Sequence, residues 1–204
     1  MATPERLAIC GIVLFHLVCF RKFYFQNPWC YATSELLEQV FPSTLHLGRH
    51  LRRYGLWTLH PVDDPYYYAD YSALPFLSSY YPPHRITAWL MTFLPTDQSF
   101  WILCLTMVWH FLAASLVCFA LLQQMGWSIL SALFGTITLS HLGYAMKQNS
   151  CIVYTCAWVP IFILCASLHQ SILFGISLGM MLLAGYWPIA FYAIPLGCLV
   201  WLLA

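Results

Sequence analysis

Apolar residues run through this sequence in long blocks separated by short polar interruptions, and the blocks set the first expectations. Residues 7–20 form the first block, and residues 100–122 form an uncharged run long enough to cross a hydrocarbon core of about 30 Å at about 1.5 Å per residue. Shorter blocks follow at 127–144, 151–168, 171–184 and 189–204, interrupted by MKQNS and GYWP. Six membrane spans are predicted. The first block is as short as a signal-peptide core, but RKFYFQNPW follows it, bulky where a cleavage site needs small residues. An uncleaved anchor over residues 1–25 is therefore expected, then a loop over 26–99 and a hydrophobic bundle over 100–204.

The loop is patterned differently. SELLEQVF places Leu36, Leu37, Val40 and Phe41 on one helical stripe, and Pro42 opens a second helix that Gly55 can end. In this second helix His46, Arg49, His50 and Arg53 share a face by i, i+3, i+4 and i+7 spacing, with Leu47, Leu51 and Tyr54 opposite. Such a helix suits a membrane surface. Its basic stripe reads either as a contact with anionic headgroups or as a phosphate or pyrophosphate site. His46 and His50 have helical metal-ligand spacing, but no HExxH pattern or third ligand accompanies them. From Leu56 to Leu90, Asp and Pro alternate with tyrosines too densely for a regular helix or strand, which predicts an ordered aromatic loop. Tyr66, Tyr67, Tyr68, Tyr71, Tyr80 and Tyr81 form either an interfacial belt or a set of flat faces and hydroxyls for a sugar ring.

Composition narrows the class. The chain is 61% apolar and 7% charged, against roughly 25% charged in soluble domains, so a water-soluble globule is excluded. A net charge of +1 without a basic cluster excludes nucleic acid as a partner. After Asp97 the one formal charge is Lys147. Six of the eight basic residues and six of the seven acids lie between Arg21 and Ser99, a segment longer than about 60 residues, a regime in which loop charge no longer sets orientation. With the N-terminus inside, the long loop lies outside, and the 140s turn and the GYWP break face it. Most of the nine cysteines fall in apolar runs and read as small buried hydrophobes.

The order of SELLEQVFP (Ser34–Pro42), LWTLHPVDDPYYYADYSALPF (Leu56–Phe76), SSYYPPHR (Ser78–Arg85), AWVP (Ala157–Pro160) and AGYWP (Ala184–Pro188) resembles the YfhO-type bacterial membrane proteins, among the membrane glycosyltransferases of GT-C fold. The resemblance implies an all-α polytopic protein of the bacterial plasma membrane. It implies an enzyme taking a sugar from a polyprenyl-phosphate donor on the outer face and adding it to a cell-envelope polymer or lipid. Two departures are visible: Glu35 stands where the family carries Asp, and the family's chains are several times longer, so this chain reads as an N-terminal portion. The alternative is a non-catalytic membrane protein that handles lipid-linked sugars or assists envelope assembly.

Such a transfer needs a carboxylate to deprotonate the acceptor hydroxyl and cations to hold the phosphate leaving group. Glu35, Asp63 and Asp64 are the candidate acids, and the resemblance favours Glu35 and Asp64. Glu35 also suits the start of a helix dipole, and Asp before Pro65 also suits a turn. For the donor phosphate the candidates are Arg85, His84 and Lys147, then Arg49 and Arg53. Lys147 can equally snorkel from a helix end. Tyr67, Tyr81 and Trp187 are candidate sugar or lipid contacts, Trp187 also an interfacial anchor. His110 and His141 are expected to bond between helices. No organic cofactor is implied, and a divalent metal is compatible with this chemistry.

Overall fold

A computed structural model describes residues 3–27, 29, 36–59, 63–64, 69–70, 78–140 and 150–204. Among the described residues the chain is helical apart from one two-residue ladder. The elements are α1 (Pro4–Cys19), α2 (Arg21–Phe25), a π-helical turn (Leu36–Val40), α3 (Phe41–Tyr54), β1 (Asp63–Asp64), β2 (Ala69–Asp70), α4 (Pro82–Met91), α5 (Thr96–Gln124), α6 (Ile129–Ser140), α7 (Ser150–Ser167), α8 (Ser171–Leu183) and α9 (Trp187–Leu203).

Helix α5 is the axis. It packs against α7, α6, α4 and α1, and its Phe100, Leu103, Met107, Val108 and Phe111 sit in one buried cluster with Phe20, Phe23, Val40, Tyr81 and Tyr154. Aromatic stacking ties down the chain before α3: Trp29 lies on Phe100 at 4.2 Å between centroids and Phe23 on Trp101 at 5.9 Å. Of the six expected spans, α5 alone among the described helices has the length and apolarity to cross a membrane; α6, α7, α8 and α9 are apolar but shorter. The first block also divides, α1 stopping at Cys19 before the separate short helix α2.

The loop region departs from its sequence pattern in four places. The helix before Pro42 is a π turn running directly into α3, without a break between them. Its i→i+5 bonding widens the turn, so Leu36, Val40 and Phe41 are buried together while Leu37 turns outward. In α3, Leu47 and Leu51 are buried against Ala88 of α4 rather than offered to lipid, and Tyr54 is 46% exposed rather than sharing their side. Gly48 makes this crossing close: a Cβ there would strike the Ala88 carbonyl oxygen. Residues 82–91, expected within the irregular loop, form α4, because Pro82 and Pro83 occupy the first helical turn, where proline's missing N–H costs nothing. Finally, β1 and β2 pair antiparallel, Asp63 opposite Asp70 and Asp64 opposite Ala69, inside the segment expected to lack strands. Gly55 ends α3 with φ 99° and Gly185 follows α8 with φ 96°, conformations that L side chains rarely adopt.

Candidate functional site

Where α4, α5 and α7 meet, five polar aromatic side chains gather in the apolar core. Tyr81, just before α4, is fully buried, and its hydroxyl oxygen accepts from Trp158 Nε1 of α7 at 2.7 Å. The same hydroxyl lies 2.6 Å from His110 Nε2 of α5. His110 Nδ1 is 2.6 Å from the Thr106 carbonyl. A carbonyl only accepts, so Nδ1 carries the proton and Nε2 accepts from Tyr81. The chain of bonds therefore has one direction, from Trp158 through Tyr81 and His110 to the backbone of α5. Tyr154 of α7 packs on Tyr81, His84 and His110, with ring centroids 5.1, 5.8 and 4.5 Å away. Burial drives the Tyr81 hydroxyl far above the ordinary phenol range, the Trp158 bond opposing weakly.

His84 completes the cluster from α4. Its Nε2 is 3.4 Å from Thr44 Oγ1, whose hydroxyl donates to the Val40 carbonyl at 2.6 Å, so Nε2 carries the proton. Nδ1 is then a buried lone pair without a hydrogen-bond partner among the described residues. Burial, and secondarily the neighbouring His110, holds this imidazole down at about 4, so it is neutral near pH 7.

Arg85 turns away from this cluster. Its guanidinium donates to the carbonyls of Leu56 at 2.9 Å, Ser79 at 3.1 Å and Thr58 at 2.7 Å, and is 5% exposed. Burial pulls it below its ordinary value, with Tyr80 opposing. Arg85 thus clamps the chain after α3 to the turn before α4. A second clamp joins that turn to the α8–α9 junction: Ser78 Oγ donates to the Ala184 carbonyl at 2.6 Å, and the Tyr186 N–H donates to Thr155 Oγ1 at 3.1 Å. SSYYPPHR, AWVP and AGYWP, far apart in sequence, are therefore bonded to one another or to a shared neighbour.

Beside the cluster, between α5 and α7, runs an apolar groove of about 410 Å³ lined by His110, Phe111, Ala114, Cys156, Pro160 and Ile163 among others. Its volume is within the roughly 300–1,000 Å³ of ordinary ligand pockets. His110 is shared, one edge bonded to Tyr81 and the ring forming part of the groove wall.

The remaining sequence candidates are scattered. Glu35, Tyr67, Lys147 and His141 lie outside the described residues, and of Asp63 and Asp64 only the backbone in β1 is described. Arg49 and Arg53 are exposed on α3; Trp187 opens α9, half exposed, edge-on to Phe191. Among the described residues no group of three or more His, Cys, Asp or Glu is arranged to hold a metal. Tyr154 and Trp158 were not singled out from sequence; their signal is a polar aromatic pair one turn apart in an otherwise apolar helix. No family model, curated protein or solved structure matches the chain.

Proposed function

We propose that this chain belongs to a multi-pass, GT-C-like glycosyltransferase of the bacterial plasma membrane, which moves a sugar from a polyprenyl-phosphate donor to a cell-envelope polymer or lipid. The observation that carries the reading is the groove between α5 and α7, apolar along its length and bordered at His110 by a buried polar aromatic cluster. That pairing suits a ligand with a long hydrocarbon chain and a polar head. The convergence of the three motifs around Ser78, Tyr81, Trp158 and Ala184 supports a shared site. In this reading α5 and the shorter apolar helices sit in the bilayer, and α4 runs back beside the first half of α5, Thr87 against Thr106 and Tyr81 against His110, with α3 packed on it.

Transfer itself rests on Glu35 as base for the acceptor hydroxyl, with Asp64 as the second candidate acid and Lys147 as the cation for the leaving phosphate. A lipid-linked sugar handler without chemistry is the second reading, favoured by the groove's lining, which contains no Asp or Glu among the described residues. Mass spectrometry of envelope glycans separates the two. A deletion strain should lack one sugar, the wild-type full-length form should restore it, and the Glu35→Gln form should not. An unaltered glycan profile after deletion refutes transfer; equal restoration by both forms removes Glu35 from the chemistry and favours the handler.

A further inference from the structure

Away from the groove, α3 and the α4–α5 turn enclose a cleft of about 290 Å³ lined by Arg49, Arg52, Thr92, Thr96, Leu45 and Leu94 among others. Arg49 and Arg52 are neighbours at i, i+3 on a helix that contains no acid. Among the described residues neither makes an ion pair and no carboxylate lines the cleft. Arg52 is held over the Phe93 ring at 4.7 Å, which fixes one guanidinium at the rim. Two adjacent cations on one helix face repel each other, and an anion held between them relieves that repulsion. Paired guanidiniums fit phosphate oxygens, two N–H groups to each face.

The level of the cleft selects the source of that anion. Thr96 opens α5, and the uncharged run of the span begins at Phe100, about 6 Å further along at about 1.5 Å per residue. Phe93 and Leu94 are exposed beside it. A cleft with cationic walls and an apolar rim at the mouth of a span lies at headgroup depth. We infer that Arg49 and Arg52 bind the phosphate of an anionic membrane phospholipid, at a site separate from the donor groove. This assigns the pairing to Arg49 with Arg52, whereas Arg53 points elsewhere, its guanidinium over the Tyr54 ring at 5.3 Å.

The inference rests on the membrane placement proposed above. The test uses the full chain extracted from carbonate-washed membranes, with thermal stabilisation followed as short-chain phosphatidylglycerol, phosphatidylcholine or inorganic phosphate is added. Phosphatidylglycerol should bind at least tenfold tighter than phosphatidylcholine, and Arg49→Gln and Arg52→Gln should each weaken it about tenfold. Arg53→Gln, with the same loss of charge, should change it less than twofold. Equal binding of the two lipids overturns the site while leaving the membrane placement intact, and so does an Arg53→Gln effect as large as the others. Inorganic phosphate that protects as well as phosphatidylglycerol overturns the lipid assignment. A chain that carbonate strips from the membrane overturns the placement and the inference together.

Discussion

His84 provides a quantitative test of how dry the cluster is. Its imidazole titrates at about 4 in the folded chain, against 6.5 when exposed. Above pH 6.5 the ring is neutral in both states and contributes no pH dependence. Between 6.5 and about 4 the unfolded chain binds a proton that the folded chain does not, so stability falls as the pH falls. At 1.36 kcal/mol per pH unit the full loss is about 3 kcal/mol, of which about 2 kcal/mol is lost between pH 7 and pH 5. For a chain of this length that corresponds to a fall in Tm of about 4–8 °C. The assay is thermal unfolding in detergent at pH 7 and pH 5, for the wild type and for His84→Gln, whose amide can still donate to Thr44. Subtracting the variant's own pH dependence removes the contribution of all other groups. The wild type should lose about 2 kcal/mol more than the variant over this interval. Equal pH dependence in the two would mean that His84 is solvated, and the buried cluster as described would be wrong.

Three further substitutions probe separate contacts. Tyr81→Phe leaves the Trp158 N–H and His110 Nε2 unpartnered in the core, so unfolding should become easier by about 2–5 kcal/mol; a change below about 0.5 kcal/mol would mean those bonds are not made. Gly48→Ala drives a methyl into the Ala88 carbonyl and within 2.8 Å of Thr92 Cγ2, and a backbone cannot step aside, so chemical denaturation should report a loss of about 1–3 kcal/mol. Arg85→Met removes the donor to three carbonyls, and limited proteolysis should cut near residues 56–59 several times faster, while an unaltered digestion rate would refute the clamp.

The sequence pattern carried the parts of the fold that depend on composition and missed those that depend on backbone geometry. An uncharged run marks α5 because a span needs length and apolarity alone. The π turn was not legible because its residues fit an ordinary helical stripe, and only the i→i+5 bonding moves Leu37 off it. Helix α4 was hidden by its double proline, which reads as a break although both residues suit a first turn. The site divides in the same way. His84, Tyr81 and Arg85 stood out as polar residues in a motif, but Tyr81's partners lie 29 and 77 positions away and no local spacing announces them. Arg52 was passed over because the helical stripe that groups Arg49 with Arg53 ignores the cleft, which α4 and α5 create.

A lipid chain in the groove between α5 and α7 is the claim on which the functional account turns. Ala114 lines that groove one turn from His110, and Ala114→Trp would occupy it. The direct measurement is native mass spectrometry of the detergent-purified chain after incubation with a polyprenyl-phosphate sugar. The wild type should retain one lipid and the Ala114→Trp form, with unchanged helical content, should retain none. Equal retention by the two, or no retention by the wild type, would contradict the account.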